Sequence, residues 1–141
     1  MHILLIEDNP ADARLVHEAL VEAKLSCKLN WKNTGGDALA FLRDTVAVDP
    51  ATAPDLILLD LNLPGVHGLE ILGEIKSDSR LRHIPVIVLS SSMAKTDVMD
   101  AYRAYANAYV AKPTHFSQFV ALVASINAYW VGAVQLPGKM V

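Results

Sequence analysis

Short apolar runs alternate with stretches of helical periodicity along the whole chain. HILLI (2–6) reads as a strand, after which Asn9 and Pro10 supply the N-cap and first position of a helix. Leu15, Val16, Ala19, Leu20 and Ala23 fall at helical spacing and give that helix one apolar face. CKLNW (27–31) is a weaker strand that alternates in part, as an edge strand does. Gly35-Gly36 opens a short helix around DALAFLRD, closed by the loop TVAVDPATAP (45–54). The third strand is LILLD (56–60), followed by a helix over LEILGEIK (69–76) and a fourth strand, PVIVLS (85–90). A helix over TDVMDAYRAY (96–105), a short strand AYVAK (108–112) and a last helix FSQFVALVASINAYW (116–130) complete the pattern.

The runs LLI, LILL and VIVL are near-continuous, as expected when helices cover both faces of a parallel sheet. Five βα units predict an α/β fold of flavodoxin-like type, a doubly wound five-stranded parallel sheet with helices on both faces. The domain is expected over residues 1–127, with 128–141 as a C-terminal extension. No internal repeat or low-complexity tract interrupts it.

Composition narrows the function classes. At 52% hydrophobic and 19% charged the 141-residue chain can bury a generous core and does not read as disordered. A net charge of −3 gives no basic footprint for nucleic acid. No apolar run approaches the roughly 20 residues of a membrane span. MHILLIEDNPAD reaches carboxylates too soon for a signal peptide. The lone Cys27 excludes an internal disulfide, suits a reducing cytoplasm, and reads as a small buried hydrophobe.

In an open parallel sheet, ligands bind outside the carboxyl ends of the strands. The first strand ends in Glu7-Asp8, the third in Asp60, the fourth in Ser90-Ser91 and the fifth in Lys112-Pro113. Three acids brought together repel unless a cation sits among them. Carboxylate oxygens with room for water suit Mg²⁺. A phosphoryl group is what such a metal and a lysine would serve, by neutralising its oxygens. Taken alone, Asp60 could cap the next helix and Asp-x-Asn-x-Pro-Gly could be only a turn. Ser92 is assigned to capping the next helix and Ser90 to the site. His2, His17 and His115 lack metal-ligand spacing and read as surface residues.

Glu7-Asp8, the DLNLP segment with Asp60, Ser90 and Lys112-Pro113 together resemble the receiver domain of bacterial two-component response regulators, the CheY-like family, over roughly residues 2–124. The resemblance implies that Asp60 is the phosphoacceptor, attacking the phosphohistidine of a sensor kinase. It implies Mg²⁺ bound by Asp8, Asp60 and the main-chain carbonyl of Asn62, with Glu7 acting through metal-bound water. Ser90 and Lys112 would each hold a phosphoryl oxygen, and Tyr109 would move with Ser90 on phosphorylation, though it could equally be a packed core tyrosine. Three positions depart from the family. His67 stands at the rim, beside Ser91 and Ser92, where a small polar or acidic residue is common. Glu7 replaces an aspartate. Tyr105 stands where a glycine often ends the fourth helix, so that either Asn107 takes the left-handed cap or the turn differs.

LLIEDNPAD, the loop before PDLILLDLNLPG and the ending AYWVGAVQLP resemble the stand-alone regulators paired with cyanobacterial and bacterial phytochromes. That implies a red-light-sensing histidine kinase as partner and a homodimer. The few residues after Ala124 are too short for an output domain, so the expected output is a protein contact or phosphotransfer to a further protein. Tyr129, Trp130, Val134 and Leu136 form an apolar tail that a dimer partner would cover, or that would fold back on its own subunit. The chain is expected not to be an enzyme beyond its own phosphoryl transfer and dephosphorylation. A Mg²⁺-dependent aspartyl-phosphate phosphohydrolase would want an acid where Asn62 stands. A flavin carrier would want a hydroxyl- and glycine-rich first loop instead of the acidic EDNPAD, and a phosphate-independent scaffold would not need the intact acids and Lys112.

Overall fold

The computed structural model describes residues 1–137. The elements run β1 (His2–Ile6), α1 (Pro10–Glu22), β2 (Lys28–Lys32), α2 (Gly35–Val48), β3 (Leu56–Asp60), α3 (Gly68–Ser77), β4 (Val86–Ser90), α4 (Lys95–Arg103), β5 (Ala108–Ala111) and α5 (Phe116–Ile126). All five strands pair in parallel, in the order β2-β1-β3-β4-β5. This is the flavodoxin-like, CheY-like arrangement that the alternation of apolar runs predicts.

Strand side chains alternate between faces, and here each face is covered. Leu4, Ile6, Ile57, Leu59, Val86 and Val88 pack with Leu42 of α2, Ile71, Leu72 and Ile75 of α3, and Ala101 of α4. Ile3, Leu5, Leu56, Leu58, Ile87 and Leu89 pack with Val16 and Leu20 of α1 and Phe119 and Val123 of α5. Every residue of β3 and β4 is buried, which accounts for their unbroken apolar sequence. β2 and β5 lie at the edges and are partly exposed, which accounts for their weaker patterns. Phe116 differs from Phe119 and Val123: it opens α5 with 37% of its surface exposed.

Four local features differ from the sequence pattern. α2 continues through Val48, so 45–48 is helix and the connection holds a 3₁₀ turn at Pro50–Thr52. Val46, one turn beyond Leu42, extends the same buried stripe and carries the helix past the expected stop. β2 is shifted by one residue and leaves Cys27 outside it, half-buried beside a small apolar cavity lined by Ile3, Leu20 and Leu58. α5 ends at Ile126 and passes into a π-helical turn over Asn127–Val131. After α4 the left-handed position belongs to Tyr105 itself (φ 71°), not to Asn107. Asn107 is engaged elsewhere: its Oδ1 accepts from the Val86 amide at 2.8 Å and from Lys76 Nζ at 3.1 Å, tying α3 and the start of β4 to the α4–β5 turn.

The tail corrects one residue of the expected dimer surface. Leu136 is 4% exposed within its own subunit, and Trp130 packs against the α1–α5 side of the core. Pro137 shares a hollow with Pro50, Pro54, Ile84 and Pro85, at the amino ends of β3 and β4. Burial of Leu136 removes apolar surface from water without a second chain. Tyr129 and Val131 remain exposed and Val134 half-buried. Residues 138–141 of the expected extension lie outside the described residues.

Candidate functional site at the carboxyl end of the sheet

Parallel pairing brings the ends of β1, β3, β4 and β5 side by side, with Ile6 level with Leu59, Asp60 with Leu89 and Ser90 with Ala111. The ladder runs one residue past two of these ends. Glu7 donates its amide to the Lys32 carbonyl at 3.1 Å, and Lys112 donates its amide to the Ser90 carbonyl at 2.8 Å. Main-chain bonds therefore fix the origins of Glu7, Asp60, Ser90 and Lys112 before any side-chain contact is made.

The side chains converge. Glu7, Asp60 and Ser90 are buried, at 2%, 3% and 1% exposure, and they are the buried polar residues of a core that is otherwise apolar among the described residues. Lys112 Nζ reaches Glu7 Oε2 at 2.8 Å, Asp12 Oδ2 at 2.9 Å and Asp60 Oδ2 at 3.2 Å. Asp60 Oδ1 accepts from the Asn62 amide at 3.0 Å, and Glu7 Oε1 accepts from the Asn9 amide at 3.1 Å. One oxygen each from Glu7, Asp8 and Asp60 lie within 4.8 Å of one another, a spacing that fits coordination of a single cation.

Charge is uncompensated here: Glu7, Asp8, Asp12 and Asp60 face one ammonium. Burial pushes the Glu7 carboxyl up to about 7, with the Asp60 charge adding to the rise against the pull of Lys112. Burial works against the Lys112 ammonium as well, but hydrogen bonds to Glu7 and Asp12 outweigh it and hold Lys112 above its ordinary value. The two members of the pair thus pull differently. Lys112 stays charged, while desolvation decides the direction for Glu7. Hard oxygen donors in excess of their counter-charge are the donor set expected for Mg²⁺ or a similar divalent ion.

The loop after Asp60 explains its turn residues. Gly65 sits at φ 79°, where a side chain is strained. A Cβ on Gly68 would lie 2.5 Å from Leu61 Cα and 2.6 Å from the Asp60 carbonyl oxygen, so α3 begins directly against the end of β3. His67 has a role that needs no phosphate: it is the N-cap of α3, its Nδ1 accepting from the Leu69 amide at 3.1 Å.

On the rim, Ser90 Oγ accepts from the Ser92 amide at 3.1 Å. Ser92 Oγ contacts Asp97 Oδ2 at 2.5 Å and accepts from the Ala94 amide at 3.3 Å, so it organises the start of α4, whose N-cap Ala94 has no side-chain acceptor. Ser91 is exposed, 3.5 Å from Asn62 Nδ2. The Tyr109 hydroxyl donates to the Ser92 carbonyl at 2.7 Å, and its ring packs on the edge of the core. Tyr129, Trp130, Val134 and Leu136 belong to the tail beyond α5, and Pro137, next after Leu136, lies at the opposite, amino end of the sheet.

Two contributors were not singled out from the sequence. Asp12 reads there as an ordinary acid in the first turn of a helix, and only the tertiary placement of α1, packed beside α5, brings it to Lys112. Trp31 anchors the edge strand to the site, its indole N–H donating to the Glu7 carbonyl at 2.7 Å.

This fold and this cluster define a class, and the comparisons with known proteins agree. Residues 3–124 match the family model described as response regulator receiver domain. The chain belongs to that family. It is 39% identical over 135 residues to response regulator Rcp1 of Synechocystis, with 96% of this chain and 92% of the relative covered. It is also 39% identical over 136 residues to the probable methanogenesis regulatory protein FilR2 of Methanothrix harundinacea, covering 96% and 87%. Among solved structures it resembles the phosphorylated cyanobacterial phytochrome response regulator RcpA, with TM-score 0.87, 42% identity and 96% and 97% coverage. The Mn²⁺-bound form of Rcp1 superposes with TM-score 0.83 at 39% identity, covering 96% and 98%.

Proposed function

We propose that this receiver accepts a phosphoryl group on Asp60 from the phosphohistidine of a sensor histidine kinase, with Mg²⁺ at the acids, and signals by a change of conformation. The observation that carries this is the placement of Asp60: a buried carboxylate at a strand end, ionically paired to Lys112 and grouped with Glu7 and Asp8. In the transfer, the P–N bond to the kinase imidazole breaks as a P–O bond to the Asp60 carboxylate forms. Asp8, Asp60 and the Asn62 carbonyl are assigned to the metal, with Glu7 acting through water. When bound, Mg²⁺ supplies positive charge to the phosphoryl oxygens. Lys112 neutralises another oxygen and Ser90 donates to one. The new charge of about −1.5 to −2 draws Ser90 away from the Ser92 amide, and Tyr109, bonded to the Ser92 carbonyl, follows. Solved relatives described as phosphorylated and as Mn²⁺-bound support both parts.

A phytochrome-type kinase is the favoured donor, because Rcp1 and RcpA align over nearly the whole chain. FilR2 of Methanothrix harundinacea, also 39% identical, makes a kinase with another sensor the second reading. A homodimer using the exposed Tyr129 and neighbouring tail residues, phosphotransfer to a further protein, and a cytoplasmic location belong to the same proposal. Among the described residues, no helix is long and apolar enough to cross a membrane. The chain is assigned no reaction on a separate substrate.

Incubation with a small phosphodonor and Mg²⁺, followed by intact mass, tests the central claim. One added phosphoryl group is expected, absent in Asp60→Asn. No gain at any Mg²⁺ concentration would overturn it.

A further inference from the structure

We propose that Asp12 is a positioning residue that holds Lys112 on the α1 side of the site and thereby raises the affinity of the acids for a divalent cation. The inference rests on the cation reading above. An ammonium has three donors, and Lys112 points all three at carboxylates, those of Glu7, Asp12 and Asp60. Two of these acids, Glu7 and Asp60, belong to the cluster spaced for a cation, together with Asp8, whereas Asp12 stands outside it. The lysine and a cation therefore compete for the same two carboxylates, Glu7 and Asp60. Only the bond to Asp12 is free of that competition among the three.

Asp12 is well placed for this. It lies in the first turn of α1, where the N-cap Asn9 accepts from its amide at 3.4 Å, and its side chain is 28% exposed, so its carboxylate keeps part of its hydration. When the cluster takes a cation, Lys112 can loosen from Glu7 and Asp60 and keep a full ionic partner. Without Asp12, every remaining partner of the ammonium is a carboxylate of the cation cluster. The lysine would then remain as an internal competitor.

Mg²⁺ titrations by calorimetry on the full chain test the idea as a double-mutant cycle. Asp12→Asn is expected to weaken Mg²⁺ binding by roughly two- to fivefold, the scale of a partly exposed ion pair. Lys112→Ala should bind Mg²⁺ more tightly than the unaltered protein, having lost the competitor. In the Lys112→Ala background, Asp12→Asn should cost no more than half the fold-loss that it costs when the lysine is present. Equal losses in both backgrounds would make Asp12 merely a nearby charge and overturn the inference, as would no loss in either. If the unaltered chain itself binds no Mg²⁺, the cation reading fails and this inference with it. Intact binding with an unaffected Asp12→Asn sinks this inference alone. Thermal melts of each variant keep a folding defect from passing as a binding one.

Discussion

The carboxyl end of the sheet gathers Glu7, Asp60, Ser90 and Lys112, whereas at its amino end the tail brings Pro137 to a hollow with Pro50, Pro54 and Pro85, next to the buried Leu136. Both ends terminate the same strands, so the difference lies in what covers them. At the amino end the chain's own tail removes apolar surface from water, a gain that needs no partner and does not depend on pH. At the carboxyl end carboxylates are buried in excess of their counter-charge, a cost in stability that the proposed cation would offset. Stability is supplied at one end and withheld at the other, where a ligand can provide it.

The sharpest way to test that contrast is pH. Glu7 has a folded value of about 7, above its ordinary value near 4.5. The folded state therefore holds the extra proton between these limits, and metal-free stability should fall as pH rises from about 4.5 to about 7 and level off above. The loss is on the order of 3 kcal/mol. Glu7→Gln should flatten the slope, and urea melts across that range would show it. A flat profile in the unaltered protein would mean that the carboxyl end is not under charge strain. Leu136→Ala probes the other end. It should cost about 2 kcal/mol in stability at every pH and leave the proposed phosphorylation of Asp60 unchanged. A change in phosphorylation would break the separation of the two ends.

Gly68→Ala should cost about 1–3 kcal/mol through a backbone clash. It should also slow phosphorylation, since the atoms it meets belong to Asp60 and Leu61. Full-rate phosphorylation in a stably folded variant would show that the close approach of α3 is not what positions Asp60. The smallest effect is expected at Asp78, the C-cap of α3 on the amino side of the sheet. The side chain and backbone amide of Arg80 hold Asp78 at about 2, below its ordinary 3.8, with Arg43 assisting. That contribution is present above about pH 4 and lost as pH falls through about 2, so Asp78→Asn should narrow the acid side of the unfolding curve slightly.

Much of this was legible in the chain. The buried strands β3 and β4 were visible as LILLD and VIVLS because both faces are covered, and Asp60, Ser90 and Lys112 were visible because each follows an apolar run. The end of α2 was not, because Val46 continues a buried stripe that resembles a loop approaching Pro50. Tyr105 was not, because its left-handed conformation is imposed once Asn107 is drawn to Val86 and Lys76. His67 was ambiguous in sequence and became a helix cap once the Leu69 amide was seen beside it.

The sequence alone determined the order of elements and the residue at each strand end, since period and apolar run length are local properties. Tertiary structure alone decided that Asp12 shares Lys112 with Glu7 and Asp60, that Trp31 holds the Glu7 backbone, and that Leu136 returns to its own subunit. Those contacts join residues between 24 and more than a hundred positions apart, and spacing along a chain carries no record of which surfaces will meet.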